Sequence, residues 1–175
     1  FILQNFSATK KNQNSSKVSL GYPSYGWEEV YEALESMLEM KTTMGEKVKK
    51  FEKLFATYIG VKYALMVNSG SSANLLALAS LNLNKGSEII TPTLTFSTTI
   101  APMYQLGLVP HFIDVEKNSF VARTDQILKA INKKTKAIMI PNLIGNVPNW
   151  KIIHKIAKKF KLKIIEDSAD TLGYR

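Results

Sequence analysis

Between residues 63 and 166, five short apolar runs alternate with helical patterns, and that alternation leaves the chain few folds. The runs cover residues 63–67, 88–91, 110–115, 136–141 and 163–166. Each is short and enriched in β-branched or other apolar residues, which suits a strand buried on both faces. Residues 71–83 are apolar nearly all round and predict a buried helix. Residues 97–106 predict a helix with Pro102 as a kink. Residues 124–131 predict a helix capped by Thr124. Residues 149–160 predict one with Ile152, Ile153, Ile156, Ala157 and Phe160 on one side. Strands alternating with helices form β-α crossovers, so the expected fold is α/β, a mainly parallel sheet with helices on both faces.

The sequence before residue 61 has a different texture. Residues 1–20 are polar and rich in Asn, Ser and Lys, and read as a flexible N-terminal arm. Val30, Ala33, Leu34, Met37 and Leu38 recur at helical spacing over residues 27–40. Residues 46–59 repeat the pattern, with Gly60 placed as a C-terminal stop. The 175 residues, 45% of them hydrophobic, suffice for a domain with a real core and exclude a disordered chain. A start on Phe1 reads as a fragment or a processed chain.

Several function classes fall away on composition. No apolar run approaches the roughly 20 residues of a membrane span, and no signal peptide is visible. The absence of cysteine removes disulfides, thiolate catalysis and Cys-based metal sites, and makes a cytoplasmic setting the default. No metal site is expected. The net charge of +9 is carried almost wholly by lysines, Arg123 and Arg175 being the only arginines. Those lysines are scattered along helices, as at Lys47, Lys49, Lys50 and Lys53. Solvated helix faces account for them better than a nucleic-acid surface, which favours arginine.

Parallel sheets of this kind bind ligands at the carboxyl ends of their strands. The residues there are "NSGSSANL" (68–75), "TPTLTFSTT" (91–99), "PNLIGNVPN" (141–149) and "EDSADTLG" (166–173). The first is a Gly- and Ser-rich turn opening a helix. Its N–H groups and hydroxyls suit a phosphate, or form an ordinary cap through Ser69 or Ser71. It matches neither the P-loop nor the dinucleotide fingerprint. In the second, Phe96 could stack on a flat ring or belong to the core. In the last, a carboxylate ending an interior strand needs a cationic partner, and a pyridinium nitrogen is one. A phosphate cradle, a stacking aromatic and such an acid together describe a pyridoxal phosphate site. Glu166 should point the opposite way by alternation, with no catalytic role.

These residues resemble the DegT/DnrJ/StrS family of enzymes that modify nucleotide-linked sugars. The resemblance covers roughly residues 22–174 and includes "GEKVKKFEKLFATYIGVKYALMVNSGSSANLLALASL", "GSEIITPTLTFSTT" and "KLKIIEDSADTLG". It implies a type I pyridoxal-phosphate aminotransferase fold. Residues 21–175 would be the N-terminal part of its cofactor-binding large domain, without the rest of that domain or the small C-terminal domain. It also implies a homodimer with shared active sites and pyridoxal or pyridoxamine 5′-phosphate as cofactor. Gly70 and Ser71 would hold the phosphate, Phe96 would stack on the ring and Asp167 would pair with its nitrogen. Asp170 would lie beside the ring hydroxyl, where aminotransferase members usually have Gln.

That departure, with "MVNSGSSANLL", "TMG" at residues 43–45 and "GNVP" at residues 145–148, is more like the 3-dehydratase branch. The implied activity is removal of the C3 hydroxyl from a nucleotide-linked 4-keto-6-deoxyhexose for surface polysaccharide, with a reductase partner. The alternatives are transamination to a 4-amino sugar and a non-catalytic cofactor-binding module. The Schiff-base position, Lys in aminotransferases and His in 3-dehydratases, is expected after Arg175. No catalytic residue is therefore assigned in this chain, which alone should be inactive.

Overall fold

The computed structural model describes residues 25–173. The arm expected over residues 1–20 lies outside them. The described residues fall into two compact units, divided between Met66 and Val67.

The described part of the first unit holds two helices, α1 (Trp27–Leu38) and α2 (Glu46–Ile59). The backbone N–H of Gly26 donates to Glu29 Oε2 at 2.6 Å, which satisfies one donor at the start of α1. Lys47 reaches Glu32 Oε2 at 2.7 Å and Glu35 Oε2 at 2.9 Å, tying the start of α2 to α1. Gly60 ends α2 as expected. Its φ of +79° is open to glycine, and the N–H groups of Gly60 and Val61 both return to the carbonyl of Ala56.

One sequence expectation fails here. Residues 63–67 are not a strand. They run as irregular backbone with Tyr63 and Leu65 exposed, and the Met66 N–H is taken by Glu52 Oε1 at 2.8 Å. An apolar run becomes a strand only if a neighbouring strand takes its backbone groups, and none pairs with it among the described residues.

The second unit is a four-stranded sheet with helices on both faces. Its elements are α3 (Gly70–Ser80), β1 (Glu88–Pro92), α4 (Ser97–Gln105), β2 (Val109–Ile113), α5 (Thr124–Ala130), β3 (Thr135–Pro141), a 3-10 turn (Leu143–Gly145), α6 (Trp150–Phe160) and β4 (Lys163–Asp167). The strand order is β2-β1-β3-β4, and every pair is parallel. All four carboxyl ends therefore share one edge.

Alternation along the strands divides the core in two. Ile90, Ile138 and Ile140 point to one face, where Ile127 of α5 and Ile153, Ile156 and Ala157 of α6 cover them. Ile89, Ala137, Met139 and Ile165 point to the other, against Leu78 of α3 and Met103 of α4. These strand residues are almost entirely buried, as expected of strands covered on both faces.

Two helix expectations need correction. The helix expected at residues 71–83 is α3, which is shorter and covered on one side only. Asn74 and Leu78 are buried, while Leu76 is 48% exposed. Its uniform apolarity concealed which side meets the sheet. Thr124 is not the cap of α5. Arg123 occupies that position without a side-chain capping bond, and Thr124 is the first helical residue. Asn149 does cap α6, accepting from the Ile152 N–H at 3.2 Å.

Candidate functional site

The carboxyl edge of the sheet collects the polar segments that follow β1, β3 and β4. Asp167 is the last residue of β4 and lies on the α3/α4 face. Its Oδ2 accepts from Asn74 Nδ2 on α3 at 2.9 Å and from Thr99 Oγ1 on α4 at 3.0 Å. Asn74 is 8% exposed and Thr99 fully buried, so both donors are fixed by packing. The amide of Asn74 also reaches the Thr98 carbonyl at 3.3 Å, joining α3 to the start of α4. Asp167 Oδ1 has only a long contact, 3.4 Å, from the Ala169 N–H. No cationic side chain pairs with Asp167 among the described residues.

Gly70 and Ser71 form the first turn of α3. Ser69 caps it, its Oγ accepting from the Ser72 N–H at 3.1 Å. The N–H groups of Gly70 and Ser71 have no acceptor among the described residues, and no acid stands in this turn. This is a positive helix end with free donors, suited to an anion. A Cβ at Gly70 would meet nothing within 4 Å, so the approach is open.

Phe96 precedes α4 and is 68% exposed, which overturns the core alternative for it. With Leu94, Thr95, Phe120, Leu143 and Ile144 it lines an apolar hollow of about 380 Å³. The Thr91 and Thr95 hydroxyls are buried without a hydrogen-bond partner among the described residues. Asp170 is exposed, and its Oδ2 accepts from the Ile144 N–H at 2.9 Å. It thereby holds the turn after β3, where Ile144 has φ +54° and ψ +34°.

The five residues singled out from sequence are thus linked, though mostly through intermediaries. Asn74 lies one helical turn beyond Gly70, and Thr99 three residues beyond Phe96. Asp170 meets the hollow through Ile144. Among the described residues, no hydrogen bond joins Gly70, Ser71 or Phe96 directly to either acid. Asn74 and Thr99 escaped the sequence reading. A lone amide within "ANLLALAS" was the available signal, because a buried amide in an apolar helix needs a partner.

The model of the DegT/DnrJ/EryC1/StrS aminotransferase family matches residues 24–175. This chain belongs to that family. Among family members, the GDP-4-keto-6-deoxy-D-mannose 3-dehydratase of Yersinia pseudotuberculosis is 39% identical over 169 residues, covering 91% of this chain and 43% of that protein. The dTDP-4-dehydro-2,6-dideoxy-D-glucose 3-dehydratase of Saccharopolyspora spinosa is 42% identical over 148 residues, covering 80% and 32%. A crystal structure of GDP-4-keto-6-deoxymannose-3-dehydratase with a trapped PLP-glutamate geminal diamine superposes with a TM-score of 0.84. It is 38% identical and matches 91% of this chain and 43% of that one. The chain thus spans less than half the length of these relatives, and its parallel sheet is part of the fold they share.

Proposed function

We propose that the full-length protein uses pyridoxal or pyridoxamine 5′-phosphate to remove the C3 hydroxyl of a nucleotide-linked 4-keto-6-deoxyhexose by dehydration. The observation that carries this is the setting of Asp167, a carboxylate at a strand end held by two neutral donors with one oxygen left over. The site's donor set fits the cofactor: an anion-binding helix end, an exposed aromatic ring and an acid without a cation lie along one edge. Similarity to two sugar 3-dehydratases supports the substrate class.

When bound, the cofactor supplies an amine for the sugar's C4 ketone and a protonated ring that withdraws electrons from the reacting carbons. Asp167 keeps the proton on the ring nitrogen, and Asn74 and Thr99 aim its carboxylate. The N–H groups of Gly70 and Ser71 bind the phosphate, aided by the α3 dipole. Phe96 would offer its ring for stacking and exclude water, and Asp170 would lie beside the ring hydroxyl. The proton-moving Lys or His belongs to the length of the relatives that this chain does not span. On this reading, residues 21–175 are the N-terminal part of the large domain. The active sites are shared across a homodimer working in the cytoplasm with a reductase partner. Among the described residues no helix is long and apolar enough to cross a membrane.

Transamination is the second reading, favoured by the family's own description. Full-length protein loaded with pyridoxamine phosphate and given a GDP- or dTDP-linked 4-keto-6-deoxyhexose separates the two by mass spectrometry. A product lacking the C3 oxygen supports dehydration, and a 4-amino sugar supports transamination. An unchanged sugar with both nucleotides removes both.

A further inference from the structure

We infer that Asn142, on the same carboxyl edge but with its side chain on the opposite face of the sheet from that of Asp167, is the positioning residue that sets the segment carrying Asp167 and Asp170. Asn142 directly follows β3 and is 2% exposed. Its N–H donates to the Asp167 carbonyl at 2.9 Å, extending the β3–β4 ladder past the Pro141 and Asp167 pair. Its side chain points to the α6 face, where Oδ1 accepts from Trp150 Nε1 at 3.1 Å. Its Nδ2 meets Glu166 Oε1 at 2.7 Å, Thr171 Oγ1 at 2.9 Å and Ser168 Oγ at 3.1 Å. Ser168 Oγ donates in turn to Glu166 Oε1 at 2.7 Å.

The chemistry leaves one orientation for this amide. An indole N–H only donates, so Oδ1 must face Trp150, and a glutamate carboxylate only accepts, so Nδ2 must face Glu166. The two Nδ2 protons thus serve three acceptors on Glu166, Ser168 and Thr171, one of them shared, while the backbone N–H holds Asp167. The two acids at the site stand between those anchors. Buried networks of this kind hold a backbone in one arrangement only while every member is satisfied. Glu166, which alternation leaves without a catalytic role, serves as an anchor.

The inference rests on Asp167 meeting the cofactor, and its test separates the two ideas. In the full-length protein, Asn142→Asp keeps the shape but turns an acceptor toward the Glu166 carboxylate. Thr171 and Trp150 can still donate to it, while the single hydroxyl proton of Ser168 can serve either this carboxylate or Glu166, so the Glu166 contact is lost and the Ser168 bond is divided. Adding Glu166→Gln restores a donor there. The variant should bind pyridoxal phosphate about tenfold more weakly, by analogy with the lower end of what loss of an outer partner costs at a metal site. Amide hydrogen exchange at residues 166–171 should quicken without the cofactor. The double variant should recover both.

A lowered melting temperature with unchanged affinity and exchange overturns the inference, as does failure of the double variant to recover either. If Asn142→Asp does not fold, Thr171→Val removes one anchor, and unchanged exchange at residues 166–171 then overturns it. If the wild type takes up no pyridoxal phosphate, the proposed function falls. The exchange comparison alone then decides whether Asn142 sets the segment.

Discussion

The two edges of the sheet treat a carboxylate in opposite ways. At the amino edge, Glu88 opens β1 and is enclosed by partners from neighbouring strands and loops. Its Oε2 takes Asn132 Nδ2 at 2.6 Å and His111 Nδ1 at 3.0 Å. The Asn132 amide, then the His111 ring, hold the Glu88 carboxyl below the usual glutamate range. Asn132 further accepts from the Lys134 N–H and donates its own N–H to Thr135 Oγ1. At the carboxyl edge, Asp167 has only neutral donors among the described residues. Along the same edge are two buried hydroxyls without partners among the described residues, an exposed aromatic ring and a β-branched residue at positive φ. One edge closes a sheet. The other keeps donors, an acceptor and local strain in reserve, which is the pattern of a site that receives a ligand.

The comparison breaks first at Asp167. In the full-length protein, on the proposed function, Asp167→Ala should lower turnover by about 10²- to 10³-fold, the range for loss of one well-placed electrostatic partner in a reaction. Circular dichroism should show the fold intact. Unchanged turnover would make the carboxyl-edge acid as structural as Glu88.

Glu88→Gln should do the reverse, costing about 1 kcal/mol of stability at neutral pH and leaving turnover unchanged. The sign follows from the lowered folded pKa. The stabilisation is present above the ordinary value of 4.5 and is lost as pH falls through the folded value. Urea unfolding of both proteins should therefore show the gap closing in acid. A gap independent of pH, or a loss of turnover, would erase the contrast between the edges.

The smallest effect is expected at Ile144. Its φ of +54° disfavours a β-branched side chain. Asn tolerates that conformation, so Ile144→Asn should raise stability by up to about 1 kcal/mol. Denaturant titration that finds it destabilised instead would show that the 73% exposed side chain packs better than its surroundings suggest.

Much of this was legible before any coordinates. Four of the five expected strands, the parallel sheet and the helices over residues 97–105 and 150–160 follow from periodicity and from strand-helix alternation. The strand ends pointed to Asp167, since an acid closing a run such as "KIIED" demands an explanation. Glu166 on the opposite side followed from alternation, and the structure places it with Asn142 and Trp150.

The misses share one physical cause. Residues 63–67 carry a strand's composition, but pairing is a relation between segments and, among the described residues, no strand pairs with them. Leu76 is as apolar as Leu78, yet only the sheet's position decides which of them is buried. Asn74, Thr99 and Asn142 are ordinary polar residues in sequence, 93, 68 and 24 positions from the groups they bind on β4. What the sequence determined by itself was local: the period of each element, the glycine stop at residue 60 and the residue types delivered to the strand ends. What only the tertiary structure decided was which distant donors meet those residues. A hydrogen bond needs two groups within about 3 Å, and only the completed sheet brings β4 against α3, α4 and the turn after β3.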